Sequence, residues 1–311
     1  MIRRPPRSTP GRTLFPYTTL FRSAPAIHVL TGPTAVGKTE AALTWAERHD
    51  AEILSCDSVC VYRGMDIGSA KPTAAQQARV RHHGLDLVAP TERFSVVQFV
   101  AMAQAAIADA QARGKRILVT GGSGFYLAAF FGPVSDDLPI GEAVIETVRT
   151  LQARGPEAVL AELRALEGAA LPDWLDVHNP IRVAKALERR LASGRPLAEL
   201  REEFLQRRGP FADHPITCQL LERPDPELRH RIAARTAEML NGGLIEEAEH
   251  LLSLNLDPEL ASARAVGYRA TMDWIGGGRQ VALEGLAERI NLDTWALVRK
   301  QRKWFRRLDL T

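Results

Sequence analysis

The pattern G-x-x-x-x-G-K-[ST] is spelled out in full by Gly32-Pro33-Thr34-Ala35-Val36-Gly37-Lys38-Thr39. An apolar run of strand type, residues 26–30, precedes it, and a segment typical of a helix, residues 40–47, follows it. A loop between a strand and a helix directs its backbone N–H groups at anionic oxygens. We therefore expect it to bind a chain of phosphates, with Lys38 at the terminal phosphate and the Thr39 hydroxyl as a ligand of Mg²⁺.

Strand-like and helix-like segments alternate around this loop, from residue 24 to residue 140. Apolar runs predict further strands at 52–56, 85–88 and 115–120, and Ser95 is expected to cap a long Ala-rich helix. Such alternation predicts an α/β fold of the P-loop NTPase type, in which a parallel sheet carries helices on both faces. Ligands of such sheets bind at the carboxyl ends of the strands.

The segment 141–213 differs in composition, because it is rich in Ala, Leu, Glu and Arg with helical spacing. It predicts a helical insertion domain that interrupts a P-loop core at 24–140. Residues 214–311 begin with a strand-like run at 216–221 and continue as helices. We expect this last part to return to the core and to end in basic helices.

Residues 1–23 contain five arginines, four prolines and no acidic residue, and they show no helical or strand period. They resemble translated sequencing-adapter DNA fused to an assembled gene, so we expect the natural protein to begin near Ala24. A disordered native tail and an organellar targeting peptide are the alternatives. The chain carries a net charge of +3, of which the residues after this segment contribute −2. Any basic partner-binding surface must therefore be local.

The composition is ordinary for a soluble globular protein, with 45% hydrophobic and 25% charged residues among 311. No apolar run approaches the ~18 residues of a membrane span. The cysteines, Cys56, Cys60 and Cys218, include no C-x-x-C pair. This pattern predicts neither a disulfide framework nor a zinc site, and it favours the reducing cytoplasm.

Two candidate site segments follow predicted strands at the ligand-binding edge of the sheet. Asp57 directly follows the run at 52–56, where it could accept a proton from a nucleophile or hold Mg²⁺ through water. A turn aspartate is the equally weighted alternative. Gly121-Gly122-Ser123-Gly124 follows the run at 115–120, and it is either a loop that a ligand approaches closely or a common glycine-rich turn.

Two groups of cations occur later in the chain. Arg231 and Arg235 lie four residues apart and share a helix face, and this spacing alone favours a solvated face with Glu227 and Glu238 over a diphosphate site, which two guanidinium groups would also suit. The segment 299–307 holds six cations and two aromatic residues and no acid. This composition favours contact with nucleic-acid phosphates over a merely solvated helix face.

Together these motifs resemble the tRNA dimethylallyltransferase family, also called isopentenyl-tRNA transferases. The resemblance extends from residue 24 to the end of the chain and keeps the family's order and spacing. The matching segments are the phosphate loop, Asp57-Ser58 with residues 62–72, residues 121–126, residues 182–188, Gly267-Tyr268-Arg269 and residues 300–306.

This resemblance implies transfer of a dimethylallyl group from dimethylallyl diphosphate to N6 of adenosine 37 in tRNA. The phosphate loop then holds diphosphate rather than ATP. Lys38, Mg²⁺ on Thr39 and the pair Arg231 and Arg235 would neutralise the departing diphosphate, and Asp57 would take the N6 proton. The insertion would clamp the anticodon stem-loop, and the basic C-terminal helix would contact backbone phosphates. We expect a cytoplasmic monomer without a membrane partner.

The resemblance also assigns tRNA contacts, and several of these positions depart from the family. Cys60 stands where the family has Gln, and Trp295 stands where it has Arg. A Gln amide donates to and accepts from an adenine edge, whereas a thiol does neither well. The diphosphate half of the site thus keeps the family pattern, and the base-reading half is altered. The expected tRNA contacts are Asp57, Ser58, Val59, Cys60, Ser123 (Thr in the family), Ile181 (Gln), Arg182 and Lys185 (Arg).

Two other functions share this fold. One is a small-molecule kinase that uses Asp57 as the base for phosphoryl transfer from ATP, and the other is a regulatory NTPase that binds nucleic acid. The basic segment at 299–307 and the insertion at 141–213 favour the transferase over the kinase. The N-K-x-D motif of a GTPase is absent from the sequence.

Overall fold

The computed structural model describes residues 26–135, 138–168 and 170–310, so the tail predicted at 1–23 lies outside the described residues. Within them, parallel strands form one sheet in the order β3-β2-β4-β1-β5. The strands are β1 (Ile27–Thr31), β2 (Ala51–Ser55), β3 (His82–His83), β4 (Arg116–Gly121) and β5 (Ile216–Leu220).

Helices cover both faces of this sheet because the inner strands β1, β2 and β4 are largely buried on both sides. Ile27 and Val29 of β1 lie in the core that also contains Phe99, while Leu30 lies in the core on the opposite face with Leu43. This is the predicted α/β architecture. The helices of this part are α1 (Lys38–His49), α2 (Ala74–Arg79), α3 (Val96–Ala112) and α4 (Gly124–Phe131). Ser95 caps α3 as predicted, by accepting a hydrogen bond from the Gln98 N–H.

The strand predicted at 85–88 is wrong, since the third strand consists of His82–His83 and pairs with β2. Asp86 has a φ of 55°, in the left-handed region, so the chain turns here instead of extending. The Leu87 N–H then donates to the Val61 carbonyl at 2.7 Å. Residues 85–88 are therefore a loop held against the segment that follows β2.

In the segment 141–213, the described residues form four helices with an apolar core of their own, which includes Val148, Leu163 and Leu187. Its C-terminal end packs against α4. Phe130 lies near the end of α4, and Phe211 precedes β5; their rings stack with centroids 4.5 Å apart. The helices are α5 (Glu142–Ala153), α6 (Pro156–Glu167), α7 (Pro180–Ser193) and α8 (Leu197–Gln206).

The chain returns to the sheet through β5, as predicted, and β5 pairs with β1. Below the phosphate loop, α9 and α12 pack together around Leu228, Ile232 and Val298. The remaining helices are α9 (Asp225–Asn241), α10 (Leu244–Ser253), α11 (Tyr268–Gly276) and α12 (Leu283–Arg307). In the described part of the chain, no helix combines the length and apolarity needed to cross a membrane.

Candidate functional site

The phosphate loop, residues 32–39, connects β1 to α1 at the carboxyl edge of the sheet. Lys38 is the first residue of α1, and its ammonium group donates to the carbonyls of Gly32 and Pro33, both at 2.9 Å. Desolvation lowers the pKa of Lys38 to about 8; Asp57 opposes this shift and Arg235 adds to it. The ammonium is thus held inside the loop, where burial disfavours its charged form and a bound anion would favour it.

Arginine side chains from the segment after β5 surround the same loop. The predicted pair does so from α9: Arg231 Nε donates to the Ala35 carbonyl at 2.7 Å, and Arg235 Nη1 donates to Thr34 Oγ1 at 3.3 Å. Desolvation lowers the pKa of Arg235. The predicted solvated face is therefore wrong for Arg235, which is half-buried at the loop.

Arg223 is a further contact that the sequence reasoning missed. Its Nε donates to the Val36 carbonyl at 2.7 Å, so the loop is bounded by a third guanidinium. A signal was available, because Arg223 follows the strand-like run at 216–221 and therefore lies at the ligand-binding edge of the sheet.

Arg235 is positioned by a second loop, residues 66–71. Its Nη2 donates to the Ser69 carbonyl at 3.4 Å. This loop is anchored by Glu247 of α10, whose carboxylate accepts the Gly68 N–H at 3.1 Å and the Tyr268 hydroxyl at 2.6 Å. The matching segments at 62–72 and 267–269 thus meet in space and support one of the arginines at the phosphate loop.

Asp57 follows β2 and is half-buried. Its Oδ1 accepts the Val59 N–H at 2.9 Å, which is the turn contact that was one of its two predicted roles. Asp57 nevertheless lines the same cavity as Lys38 and Arg235. The turn fixes the orientation of the carboxylate, and the cavity leaves it facing the phosphate loop, so the two roles are compatible.

The cavity has a volume of about 1020 Å³ and reaches from the phosphate loop to α12. It brings together most of the predicted site residues. Those that line it are Thr34, Ala35, Gly37, Lys38, Thr39, Asp57, Ser58, Val59, Cys60, Ser123, Arg231 and Arg235. Dimensions of this order accommodate a ligand of small-molecule size together with part of a second one.

Cys60 contributes a buried thiol to this cavity, with 5% of the residue exposed. Burial raises the pKa of the thiol, and the neighbouring Asp57 raises it further. A thiol in this setting stays protonated, so it offers neither the hydrogen-bonding capacity of an amide nor a nucleophile.

Two of the three glycines in the loop at 121–124 are required by α12. A Cβ on Gly122 would lie 2.3 Å from Gln301 Nε2, and a Cβ on Gly124 would lie 2.2 Å from Trp304 Cγ. The close approach predicted for a ligand is therefore made, at these two positions, by side chains of α12. Ser123 between them keeps its place on the cavity wall.

Gln301 joins this loop to the phosphate loop. Its Oε1 accepts the Thr34 N–H at 2.9 Å, and its Nε2 donates to the Gly122 carbonyl at 3.0 Å. The sequence reasoning quoted Gln301 within a motif without giving it a role. In the segment 299–307 it stands out as the residue that is neither cationic nor aromatic, which marks it as a residue that faces inward.

The cations of the segment 299–307 lie mainly on the exposed side of α12. Lys300 lines the cavity, while Arg302 is directed to α9, where it pairs with Asp225 at 2.8 Å. Phe305 is buried in the core under the sheet. The exposed cations are Arg299, Lys300, Lys303, Arg306 and Arg307.

Trp295, which departs from the family pattern, is buried where α12 crosses α9. The Arg229 guanidinium stacks over its ring at 3.8 Å from the centroid, and the Arg302 guanidinium lies at 5.8 Å. Trp295 also belongs to the apolar cluster that contains Val36 of the phosphate loop. It thus serves as a packing element beneath the loop.

Ile181, Arg182 and Lys185 are not brought to the cavity. They lie on α7 of the insertion, where all three are exposed; Ile181 is 53% exposed. Lys185 forms an ion pair with Glu188 at 2.7 Å. If these residues contact tRNA, they do so at a surface separate from the cavity.

The oxygen donors of the site fit Mg²⁺. In the described residues, no group of three or more His, Cys, Asp or Glu side chains is arranged to hold a metal ion. Mg²⁺ at phosphate sites needs fewer protein ligands, because it keeps several waters and shares the phosphate oxygens. The Thr39 hydroxyl and the Asp57 carboxylate both line the cavity and supply oxygens of this kind.

Comparison with known proteins identifies the family of this chain. A family model described as IPP transferase matches residues 60–308, and one described as isopentenyl transferase matches residues 25–88. The tRNA dimethylallyltransferase of Opitutus terrae is 50% identical over 282 residues, which are 91% of this chain and 90% of that protein. The tRNA dimethylallyltransferase of Chloroflexus aurantiacus is 39% identical over 283 residues, or 90% of this chain and 92% of that protein.

Solved structures show the same relationship. The tRNA isopentenylpyrophosphate transferase of Bacillus halodurans is 30% identical with a TM-score of 0.62, and the match covers 90% of this chain and 86% of that one. A eukaryotic dimethylallyltransferase captured acting on tRNA has a TM-score of 0.76 over 90% of this chain and 70% of its own; at 22% identity this likeness concerns the fold alone. The chain therefore belongs to the IPP transferase family, the tRNA dimethylallyltransferases.

Proposed function

We propose that this chain transfers a dimethylallyl group from dimethylallyl diphosphate to N6 of adenosine 37 in tRNA. The observation that carries the proposal is the shared cavity, in which the phosphate loop, Arg231 and Arg235 face Asp57, and which extends to the cationic helix α12. An allylic transfer to a nucleic acid requires a site that binds the diphosphate, a carboxylate that accepts a proton, and a cationic surface that binds the nucleic acid.

The reaction breaks the C–O bond between the dimethylallyl group and diphosphate, forms a C–N bond to N6, and releases one proton from N6. Negative charge grows on the diphosphate as the C–O bond breaks. Lys38, Arg231 and Arg235 place positive charge at that position, and electrostatic stabilisation of this kind is usually the largest catalytic contribution.

Asp57 accepts the N6 proton. The exocyclic amine is a poor nucleophile because its lone pair is delocalised into the ring, so the proton must leave as the C–N bond forms. The hydrogen bond from the Val59 N–H holds the carboxylate in a fixed orientation without protonating it. A positioned base of this kind contributes about 10²- to 10⁴-fold to the rate.

Mg²⁺ would be held by the Thr39 hydroxyl and by diphosphate oxygens, and it would supply further positive charge to the leaving group. The chain's own groups would then share the charge of the diphosphate with the ion. Thr39 lies at the start of α1, where the helix dipole also favours an anion.

The acceptor tRNA would bind on the α12 side of the cavity. The exposed cations of α12 would contact backbone phosphates, and Arg182 and Lys185 on α7 would add contacts from the insertion. Adenosine 37 would enter the cavity beside Ser58, Cys60 and Ser123. We further propose that the enzyme acts in the cytoplasm as a monomer.

One assay separates this function from the kinase and the NTPase. The protein is incubated with unmodified tRNA, Mg²⁺ and radiolabelled dimethylallyl diphosphate, and a parallel reaction contains ATP. We expect label in the tRNA at adenosine 37 and none in the same tRNA carrying guanosine at that position. Consumption of ATP without labelling of the tRNA would refute the proposal in favour of one of the alternatives.

A further inference from the structure

The side chain of Gln301 connects two loops that lie at the ends of neighbouring strands. The phosphate loop follows β1 and the glycine-rich loop follows β4, and these strands pair in the sheet. Gln301 reaches both from α12, with hydrogen bonds of 2.9 Å to the Thr34 N–H and 3.0 Å to the Gly122 carbonyl. The residue is only 7% exposed, so water does not compete effectively for either bond.

The two partners restrict the chemistry of this residue. A backbone N–H can only donate, and a backbone carbonyl can only accept, so the connecting group must accept at one end and donate at the other. An uncharged amide does this, whereas a carboxylate, an ammonium or an alkyl group does not. The amide orientation is fixed by the same two partners.

Gln301 also accepts a hydrogen bond from a backbone N–H of the phosphate loop, that of Thr34. Thr34 is the residue whose hydroxyl accepts from Arg235 at 3.3 Å. The N–H of Thr34 is therefore directed to α12, while its side chain is directed to an arginine of the diphosphate site. A shift of α12 would move Thr34, and with it the contact to Arg235.

The same stretch of α12 carries the exposed cations that we assign to tRNA. Lys300 precedes Gln301 and lines the cavity, and Lys303 lies two residues further on at the surface. Trp304, one turn after Lys300, packs on the glycine-rich loop, where it would lie 2.2 Å from a Cβ on Gly124. A nucleic acid bound to these cations would therefore contact the segment of α12 that holds the phosphate loop and the glycine-rich loop.

We propose that Gln301 is a positioning residue that couples tRNA binding on α12 to the geometry of the diphosphate site. The inference rests on the proposed function, because it takes α12 as a tRNA contact. Binding of tRNA would fix α12 and, through the amide, the Thr34 backbone and its arginine. Diphosphate and tRNA would then bind cooperatively, and each would raise the affinity for the other by the same factor.

The test measures that factor with inorganic diphosphate as the probe. Its dissociation constant is determined by calorimetry for the full chain, with Mg²⁺, in the presence and absence of saturating tRNA. Couplings between sites are typically 5- to 150-fold, and we expect a value in about this range for the unaltered protein. For Gln301→Met, which keeps the length of the side chain and loses both hydrogen bonds, we expect a factor close to one.

A matched variant on the same helix is Lys303→Met. It removes an exposed cation and leaves the amide in place, so we expect weaker tRNA binding with the coupling factor unchanged. Gln301→Glu retains the acceptor for the Thr34 N–H and loses the donor to Gly122, so an intermediate factor is expected. For Gln301→Met, kcat should fall by a larger factor than KM for tRNA rises.

Three results would overturn the inference: no coupling in the unaltered protein, full coupling in folded Gln301→Met, or loss of folding in both Gln301 variants, which would make the residue purely structural. Transfer of label to tRNA by the unaltered protein is measured alongside. Its absence would refute the proposed function, whereas transfer with unaltered coupling in Gln301→Met would refute this inference alone.

Discussion

Replacement of Asp57 by Asn separates the turn contact of this carboxylate from its proposed role as a base. The amide oxygen of Asn can still accept the Val59 N–H, which Asp57 accepts at 2.9 Å, but it cannot take up a proton. We expect kcat for transfer to fall by about 10²- to 10⁴-fold. This corresponds to about 3 to 5 kcal/mol of lost transition-state stabilisation at 1.36 kcal/mol per tenfold change in rate.

The matched variant is Asp57→Ala, which loses the turn contact as well. A hydrogen bond of this kind contributes about 0.5–1.5 kcal/mol to the free energy of unfolding. Asp57→Ala should therefore be less stable than Asp57→Asn by about 1 kcal/mol and equally inactive. Stability is measured by urea unfolding and transfer by labelling of tRNA.

Binding of inorganic diphosphate distinguishes the base from a structural or metal-binding role. Removal of the carboxylate charge lowers the pKa of Lys38 from about 8, since Asp57 raises it. Lys38 stays protonated at any pH that is about one unit or more below its pKa. Diphosphate affinity near pH 6 should therefore be nearly the same in Asp57→Asn as in the unaltered protein. An equal loss of diphosphate binding and of transfer would refute the assignment of Asp57 as the base.

Three further outcomes are expected. Diphosphate affinity of the free protein should fall as the pH rises through about 8, because Lys38 is charged below that pH and neutral above it. Calorimetry should show no such fall for Lys38→Met. A fall that persists in this variant would contradict the assignment of the pH dependence to Lys38. Cys60→Gln should preserve or raise the rate of tRNA labelling, because the buried neutral thiol is not used, and a strong loss would show that it is. Arg223→Met should weaken diphosphate binding by about 10- to 100-fold, because it loses a charged hydrogen bond to the phosphate loop. The control Arg81→Met, at an exposed position, should bind diphosphate normally. Equal affinities in the two variants would exclude a role of Arg223 in diphosphate binding.

Much of the fold follows from local signals in the sequence. The strand before the phosphate loop, the capped helix at Ser95 and the return strand at 216–221 are all found in the structure, because each is a short apolar run or a capping residue read within a few positions. The error at 85–88 arises from the same rule. An apolar run can also be a loop whose side chains pack against another segment, and Asp86 turns this one away from the sheet.

The candidate site was less predictable, because its supports are distant in the chain. Helical spacing places Arg231 and Arg235 on one face, but only the contacts of Arg235 exclude a solvated position for that residue. Thr34 and Gln301 lie 267 residues apart, and Val36 and Arg223 lie 187 apart. No periodicity relates such pairs, so they become visible only once the sheet order and the α9–α12 packing are known.

The stacked rings of Phe130 and Phe211 have a consequence for how this protein can vary. They join the C-terminal end of the insertion to α4 beside the sheet. Because the insertion has its own apolar core, it forms a structural unit distinct from the sheet. We therefore expect changes in the length or sequence of its helices to leave the strand order and the phosphate loop unchanged, so the insertion and the phosphate loop can vary separately.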